Sequence, residues 1–393
     1  MSHTVTIFAV MNNLNKIKFM KTNKVVCNID KMTICLMQPR TFFVPFKKSM
    51  QAMKDQYYKL YYDDGAFYLA LEKETDLEEN TITTNLYVKD IDNPDTYIKL
   101  GIFVFNNSKR YDRKCFFSYE TKTLYQTSFK YRDEKHNVVS KHNYFIFPFY
   151  VFDRLGLTFN NVTRIEIALD TDYNIINAIK NAISDYETFQ MILFNSNQRN
   201  HDKYLEGIWE YYQISRKKKL INPTLYVHKL KQKNGSLKEL KIYDKARELR
   251  ESRPDKKDTT HGWTEIRKKM YRAEINIGRK EFNNYFEQLE KKKSPLWQFG
   301  NLNPNTNEIR EDGKPVSDNY KKQFKKEQIK NALVDYFYYL GNDEKYRIEM
   351  FDYFANNLLR FKMNNHDKTQ VTIRGLAMFG INTYKSLKKR TKE

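Results

Sequence analysis

The sequence contains little cysteine and no histidine pair suited to metal binding. Its 393 residues include only three cysteines, Cys27, Cys35 and Cys115, and no CxxC spacing. An odd number of cysteines without CxxC spacing argues against a disulfide framework or a thiolate zinc site, and it favours a reducing compartment. The seven histidines include no His-x-His pair. His228 and His261 are therefore predicted to be surface or structural residues rather than metal ligands.

Long apolar runs are also missing. No segment approaches the length of a membrane span, so no membrane partner is expected. The short apolar stretch at residues 5–11 has neither a basic region before it nor a small-residue cleavage site after it, which argues against a secretory signal. We therefore expect a cytoplasmic protein. No internal repeat of solenoid period is present.

Positive charge and aromatic residues are what the sequence has in excess. Lys and Arg number 69 against 48 Asp and Glu, a formal net charge of +21. This excess indicates a polyanionic partner, most commonly nucleic acid, but does not separate DNA from RNA. The 29 Tyr and 27 Phe favour strands and a β-rich core, and they also offer platforms for stacking unpaired bases.

The pattern along the chain predicts an α+β fold in four parts. A β-rich N-terminal region covers residues 1–142, with strands at 25–36, 66–71, 81–88 and 97–105. A core of mixed strands and helices follows at 143–293. Three prolines and two glycines mark a linker at 294–317. Residues 318–393 form a helical C-terminal region, with helices at 320–339 and 347–361 and a basic tail.

Three predicted strands of the core share one alternation. In the first, 163–170, Ile165 and its apolar neighbours point to one side, while Arg164, Glu166 and Asp170 point to the other, because side chains alternate between the faces of a strand. In the second, 239–245, the polar side carries Lys241 and Tyr243, and Lys245 if the strand continues.

The third strand of this kind is 271–277, whose polar side carries Arg272, Glu274 and Asn276. If the three strands are neighbours in one sheet, the polar face gathers carboxylates, cations and a tyrosine. Hard oxygen ligands hold Mg²⁺ or Mn²⁺, and cations with a metal polarise a phosphodiester. A tyrosine hydroxyl could then act as nucleophile. The ordinary alternative is an amphipathic sheet whose wet face carries cross-strand ion pairs.

Three blocks resemble the trans-acting rolling-circle replication initiators of small plasmids, phages and some integrative elements. Residues 162–170, VTRIEIALD, resemble that family's "TRIDIALD" strand. Residues 224–227, TLYV, followed by 240–248, LKIYDKARE, resemble its "TLYxGS…RIYDKxxE" block. Residues 271–275, YRAEI, resemble its "xRxEL" strand. The resemblance covers roughly residues 145–290, in the family's order.

The resemblance implies a metal-dependent enzyme that nicks and rejoins one strand at a DNA origin. Tyr243 would attack and form a 5′-phosphotyrosine, leaving a 3′ hydroxyl as primer. Lys245 would steady the phosphate or the tyrosinate, and Glu248 would orient it. Carried over in the same way, the metal ligands are Glu166, Asp170 and Glu274, and the predicted DNA contacts are Arg164, Lys241 and Arg272.

The resemblance is incomplete. Glu166 stands where the family often has Asp, and residues 227–229, VHK, replace its "GS", which removes a close backbone approach. The basic runs 216–219, 291–293 and 321–326 could follow phosphates. The C-terminal helices could recognise an origin or form a homodimer, and a host helicase is an expected partner.

Two other readings stay open. One is a non-catalytic, basic DNA-binding replication or copy-control protein of a plasmid or phage. The other is a structural protein whose charge serves packing.

Overall fold

We describe a computed structural model, which defines residues 23–52, 66–71, 80–107, 113–120, 130–132, 137–140, 145–197, 208–211, 223–228, 238–252, 269–291, 318–364 and 369–390. The fold is α+β, with a large antiparallel sheet, a smaller sheet and C-terminal helices, as the sequence predicts. No helix within these ranges is both long enough and apolar enough to cross a membrane.

The strands, in chain order, are β1 (Val25–Met37), β2 (Tyr68–Leu71), β3 (Thr81–Lys89), β4 (Tyr97–Asn106), β5 (Lys114–Tyr119), β6 (Lys130–Arg132), β7 (Val138–Ser140), β8 (Thr158–Thr171), β9 (Phe189–Leu193), β10 (Ser196–Asn197), β11 (Ile208–Tyr211), β12 (Thr224–Val227), β13 (Lys238–Asp244), β14 (Tyr271–Gly278), β15 (Leu359–Met363) and β16 (Gln370–Val371).

The helices are α1 (Phe43–Ala52), α2 (Phe147–Arg154), α3 (Ile175–Ser184), α4 (Lys245–Ser252), α5 (Arg279–Lys291), α6 (Asp318–Asn342), α7 (Glu344–Leu358), α8 (Ile373–Phe379) and α9 (Ile381–Arg390).

The chain divides into two compact units that are interleaved in sequence. The first unit comprises 1–30, 166–277 and 347–393, and the second comprises 31–165 and 278–346. Three of the boundaries between the units fall inside strands of the main sheet, namely β1, β8 and the last residue of β14. The domain limits expected from the sequence stay predictions.

In the first unit, the main sheet has the order β11-β12-β13-β14-β8-β1, and β10-β9-β15-β16 form the smaller sheet. The apolar sides of its strands form a dry core: Ile167, Leu240, Ile242 and Ile275 are fully buried. Helix α3 begins at the cap residue Asn174, whose side chain accepts from the Asn177 backbone N–H, which stabilises a helix start.

In the second unit, the main sheet contains the C-terminal part of β1, followed in order by β5, β4, β3 and β2. Its core is aromatic: Phe103, Phe105, Phe117 and Phe152 are buried, and Phe103 and Phe117 lie with ring centroids 4.7 Å apart. Such ring pairs stabilise a core beyond the area they bury.

The strands expected at 25–36, 81–88 and 97–105 are confirmed as β1, β3 and β4, and the three amphipathic core strands as parts of β8, β13 and β14. The helix expected at 347–361 ends earlier, at Leu358, because Leu359 to Met363 pair with β9. The linker predicted at 294–317 lies outside the described residues.

Candidate active site

The strand register places four of the predicted site residues side by side. Strands β13 and β14 are antiparallel neighbours, with Lys241 opposite Glu274 and Tyr243 opposite Arg272. Directly paired residues share a face of the sheet. Since side chains alternate along each strand, all four lie on the face opposite the apolar core, where the sequence pattern puts them.

Tyr243 is joined to Glu274 by a hydrogen bond. The phenol donates to Oε2 of Glu274 over 2.9 Å, a contact between diagonal neighbours on the two strands. Tyr243 is only 6% exposed. Burial raises the pKa of Tyr243 far above its usual value; the Arg272 charge opposes this rise, and Glu274 and Glu248 add to it. Ionisation of the phenol therefore needs further help from a cation or a base.

Two lysines lie against the tyrosine ring. Lys241 Nζ is 4.4 Å from the centroid of the Tyr243 ring, and Lys245 Nζ is 5.7 Å from it. Lys245 also forms a 2.5 Å ion pair with Glu248, one turn further along α4. Glu248 is exposed, so the lysines and this carboxylate mark the side of Tyr243 nearest to solvent.

Three carboxylates converge beside the phenol. One oxygen each of Asp30, Glu166 and Glu274 lies within 4.8 Å of the others. Glu166 is 1% exposed. Burial raises the pKa of Glu274, and the neighbouring Asp30 and Glu166 charges raise it further. Three hard oxygen donors at this spacing fit Mg²⁺ or Mn²⁺, which prefer carboxylate ligands.

Arg272 connects three strands of the main sheet through buried ion pairs. It is 1% exposed, and its Nε and Nη2 donate to the two carboxylate oxygens of Asp170 at 2.8 and 3.0 Å. Its Nη1 donates to Asp30 at 2.6 Å. One guanidinium thus joins β14 to β8 and β1, and it fixes the orientation of Asp30, which belongs to the carboxylate cluster.

Like charges lie close together on this face of the sheet. The charges of Asp30 and Glu166 raise the pKa of Glu274, and those of Arg272 and Lys241 lower it. Repulsion between like charges at close range is relieved by proton uptake or by a bound cation. The cluster is therefore suited to hold a divalent ion, and without one the pKa of Glu274 is raised.

The structure brings some predicted site residues together and separates others. Glu166, Glu274, Tyr243, Lys241 and Lys245 converge. Asp170, expected as a metal ligand, directs both of its oxygens to Arg272 instead.

Two of the expected DNA contacts also differ in their surroundings. Arg272 is buried and its donors are engaged by carboxylates, so the expected DNA contact does not fit its position. Arg164 is exposed, as a DNA contact requires.

Asp30 is the residue that the sequence patterns missed. It lies on β1, in a part of the chain that carries none of the recognised blocks. Its strand, VVCNIDKMTICLM, is broadly apolar, and an acid inside it is the one local signal that could have identified it, because carboxylates are rarely buried without a partner.

Histidine and the basic runs add little to this site. His228 Nδ1 lies 3.5 Å from Glu239, in keeping with a structural role. His261 and the basic run 216–219 lie outside the described residues. Run 321–326 lies in α6.

Comparison with solved structures shows a weak structural likeness. No family model matches the sequence, and no curated protein matches it. A rolling circle replication initiator protein from Geobacillus stearothermophilus is 12% identical, with a TM-score of 0.35, over 68% of this chain and 80% of that chain. A likeness at this TM-score carries no weight for function, which therefore has to be inferred from the geometry of the site.

Proposed function

We propose that this protein is a replication initiator of the rolling-circle type, which nicks and rejoins one DNA strand through Tyr243. The observation that carries the proposal is the 2.9 Å hydrogen bond from the phenol to Glu274, a carboxylate that itself belongs to the convergent acidic cluster. A nucleophile in contact with a base that sits among metal-suited ligands is the arrangement that phosphoryl transfer by a hydroxyl needs.

The chemistry assigned to the side chains follows from these contacts. Tyr243 Oη forms a bond to the phosphorus of the scissile phosphodiester, and the bond between phosphorus and the 3′ oxygen breaks. The 3′ oxygen takes up a proton from solvent and becomes a free hydroxyl, while the 5′ phosphate stays joined to Tyr243 as a phosphotyrosine. Glu274, whose Oε2 accepts the hydrogen bond from the phenol, would receive the phenolic proton. The reverse attack by a 3′ hydroxyl rejoins the strand.

A divalent ion has a defined role in this proposal. Asp30, Glu166 and Glu274 would hold Mg²⁺ or Mn²⁺, which when bound polarises the phosphate and favours the ionised phenol. Lys241 and Lys245, close to the ring, would contact the phosphate and stabilise negative charge on the phenol oxygen. In this assignment Asp30 replaces Asp170 as third ligand.

The test uses supercoiled plasmid that carries the protein's own gene and flanking DNA, incubated with Mn²⁺. We expect open-circular product and a covalent protein–DNA adduct that survives denaturation. Tyr243→Phe should lose both, by at least about 100-fold, since it lacks the attacking oxygen. The matched control is Tyr226→Phe, a partly exposed tyrosine on β12 whose partner in register is Lys241, and it should keep both.

Two outcomes would reject strand cleavage. Nicking by Tyr243→Phe at the wild-type rate would remove the nucleophile assignment. Absence of any adduct with the wild-type protein, with DNA binding intact, would leave a non-catalytic DNA-binding replication or copy-control protein.

A further inference from the structure

The C-terminal part of the first unit contains two helices joined by a one-residue turn. Helix α8 begins after Thr372, whose hydroxyl accepts from the Gly375 backbone N–H at 2.9 Å. It ends at Gly380, with φ 73° and ψ 157°, and α9 begins at the next residue. That conformation is essentially restricted to glycine, so the sharp change of direction is built into the sequence at this position.

Helix α9 is firmly seated along one side. Ile381 and Tyr384 are buried, and the Ile381 N–H donates to the Tyr173 hydroxyl at 3.2 Å. Lys385 pairs with Asp185 at 2.8 Å. The Tyr384 hydroxyl approaches α8 so closely at Gly375 that any Cβ there would overlap it. The helix is thus held in a fixed orientation against α8 and α3.

The opposite side of α9 is polar and open. Asn382 and Ser386 are exposed and lie one turn apart, so they share a face of the helix. Ser386 donates its hydroxyl hydrogen to the Thr383 carbonyl, which leaves its oxygen as an acceptor. The sequence of the last turn is Lys388-Lys389-Arg390, and α9 contains no acidic residue.

We propose that α9 is a recognition helix that enters the major groove of duplex DNA, with Asn382 and Ser386 reading base edges. Two consecutive helices joined at a glycine, with the second open to solvent along one side, resemble the helix-turn-helix unit, whose second helix lies in the major groove. Asn pairs with adenine, and Ser contacts several bases. The three basic residues that end the α9 sequence carry the positive charge that phosphates attract.

The absence of acidic residues in α9 favours a polyanionic partner, and groove geometry favours duplex DNA over duplex RNA. Lys385 is already neutralised by Asp185, so it is not counted as a phosphate contact. The groove that admits a helix exists in B-form DNA, whereas the major groove of duplex RNA is too narrow. This surface is separate from the residues around Tyr243, and it would deliver a duplex to the protein whether or not the proposed strand cleavage is correct.

The experiment measures duplex binding in EDTA, without any cleavage. Duplex fragments tiling the protein's own gene and its flanks are compared with scrambled duplexes over a range of salt concentrations. We expect Asn382→Ala with Ser386→Ala to reduce preference for the bound fragment by roughly 10- to 100-fold. The affinity for scrambled duplex and the salt dependence should stay as in the wild type.

A second variant separates phosphate contacts from base reading. Lys388→Ala with Lys389→Ala should weaken binding to both kinds of duplex and reduce the slope of log affinity against log salt by about 2. The control Lys47→Ala with Lys48→Ala, on α1, removes the same charge and should leave sequence preference and slope nearly unchanged. Each variant should melt at the wild-type temperature, which would show that the substitutions leave the fold intact.

Two results would overturn the proposal. The first is a variant of Asn382 and Ser386 that keeps the wild-type preference for the bound fragment over scrambled duplex. The second is the same slope of log affinity against log salt for the two lysine double variants. Loss of nicking in Tyr243→Phe has no bearing on it, because that variant should keep full duplex preference.

Discussion

Arg272 and Asp170 meet through two parallel hydrogen bonds, of 2.8 and 3.0 Å, in a buried position. Such a bidentate pair fixes both side chains in the plane of the contact. The remaining donor of the guanidinium reaches Asp30. The pair therefore organises the acidic face of the sheet, and its loss should be felt in the stability of the protein as well as at the candidate metal site.

Replacing Arg272 by Met should destabilise the protein by about 3–5 kcal/mol, because it leaves Asp30 and Asp170 buried without their cation. Arg272→Lys should also destabilise it, since an ammonium cannot make the planar double contact. Urea unfolding followed by circular dichroism gives the free energy of unfolding. The control Arg164→Met changes an exposed arginine on β8 and should stay within about 0.5 kcal/mol of wild type; equal losses in the two variants would contradict the role given to Arg272.

Mn²⁺ should raise the melting temperature of the wild-type protein. At a concentration 100 times the dissociation constant, a ligand specific to the folded state contributes about 2.7 kcal/mol. Asp30→Asn and Glu166→Gln should each lose most of this stabilisation. The matched control is Glu239→Gln, which changes a partly exposed carboxylate on β13 that lies close to His228. It should respond to Mn²⁺ like the wild type. A melting temperature that Mn²⁺ leaves unchanged would remove the metal from the proposal.

Glu274 should give the metal-free protein a characteristic dependence on pH. Its pKa in the folded state is raised above the unfolded value of about 4.3, so the folded state binds the proton more tightly. Stability from this group is complete below the unfolded pKa and is lost as pH rises through the folded pKa. Glu274→Gln removes that loss.

Unfolding free energies in EDTA between pH 4 and pH 8 test this expectation. In EDTA, the free energy of unfolding of Glu274→Gln should fall less than that of the wild type as pH rises. In Mn²⁺, the wild type should be the protein that loses less. The same pH profile for both proteins in EDTA would show that Glu274 titrates normally.

Gly380→Ala should destabilise the protein by about 1–3 kcal/mol, since the backbone there has φ 73° and ψ 157°. A Cβ would also lie 3.2 Å from the Tyr173 ring. Gly156→Ala is the comparison: Gly156 has φ 66°, but an added Cβ would have only an ordinary contact, with Pro39 at 3.9 Å. Its cost should be smaller, about 1–2 kcal/mol. Thermal or urea unfolding of both variants measures the difference, and a harmless Gly380→Ala would mean that the α8–α9 turn tolerates a side chain.

Much of the candidate site could be predicted from local pattern. The alternation in 163–170, 239–245 and 271–277 assigns Glu166, Tyr243 and Glu274 to the polar side of their strands, because the period of two is a property of the extended backbone itself. A shared polar face has the condition that these strands are neighbours, and the order β13-β14-β8 in the main sheet meets that condition.

The polar face was expected to be open to solvent, and here the tertiary structure differs. Glu166, Asp170 and Arg272 are nearly inaccessible. Alternation distinguishes one side of a strand from the other, but it does not say whether the polar side meets water or other charges. Burial of these groups is possible because they pair among themselves.

The sequence by itself determined which residues face the same way along each strand, the excess of positive charge, and the glycine that ends α8. These depend on backbone geometry and composition alone. Only the tertiary structure decided that Asp30 joins Glu166 and Glu274, and that Arg272 holds Asp170 and Asp30 inside the protein. Such contacts depend on which strands become neighbours across long stretches of chain, and no local periodicity carries that information.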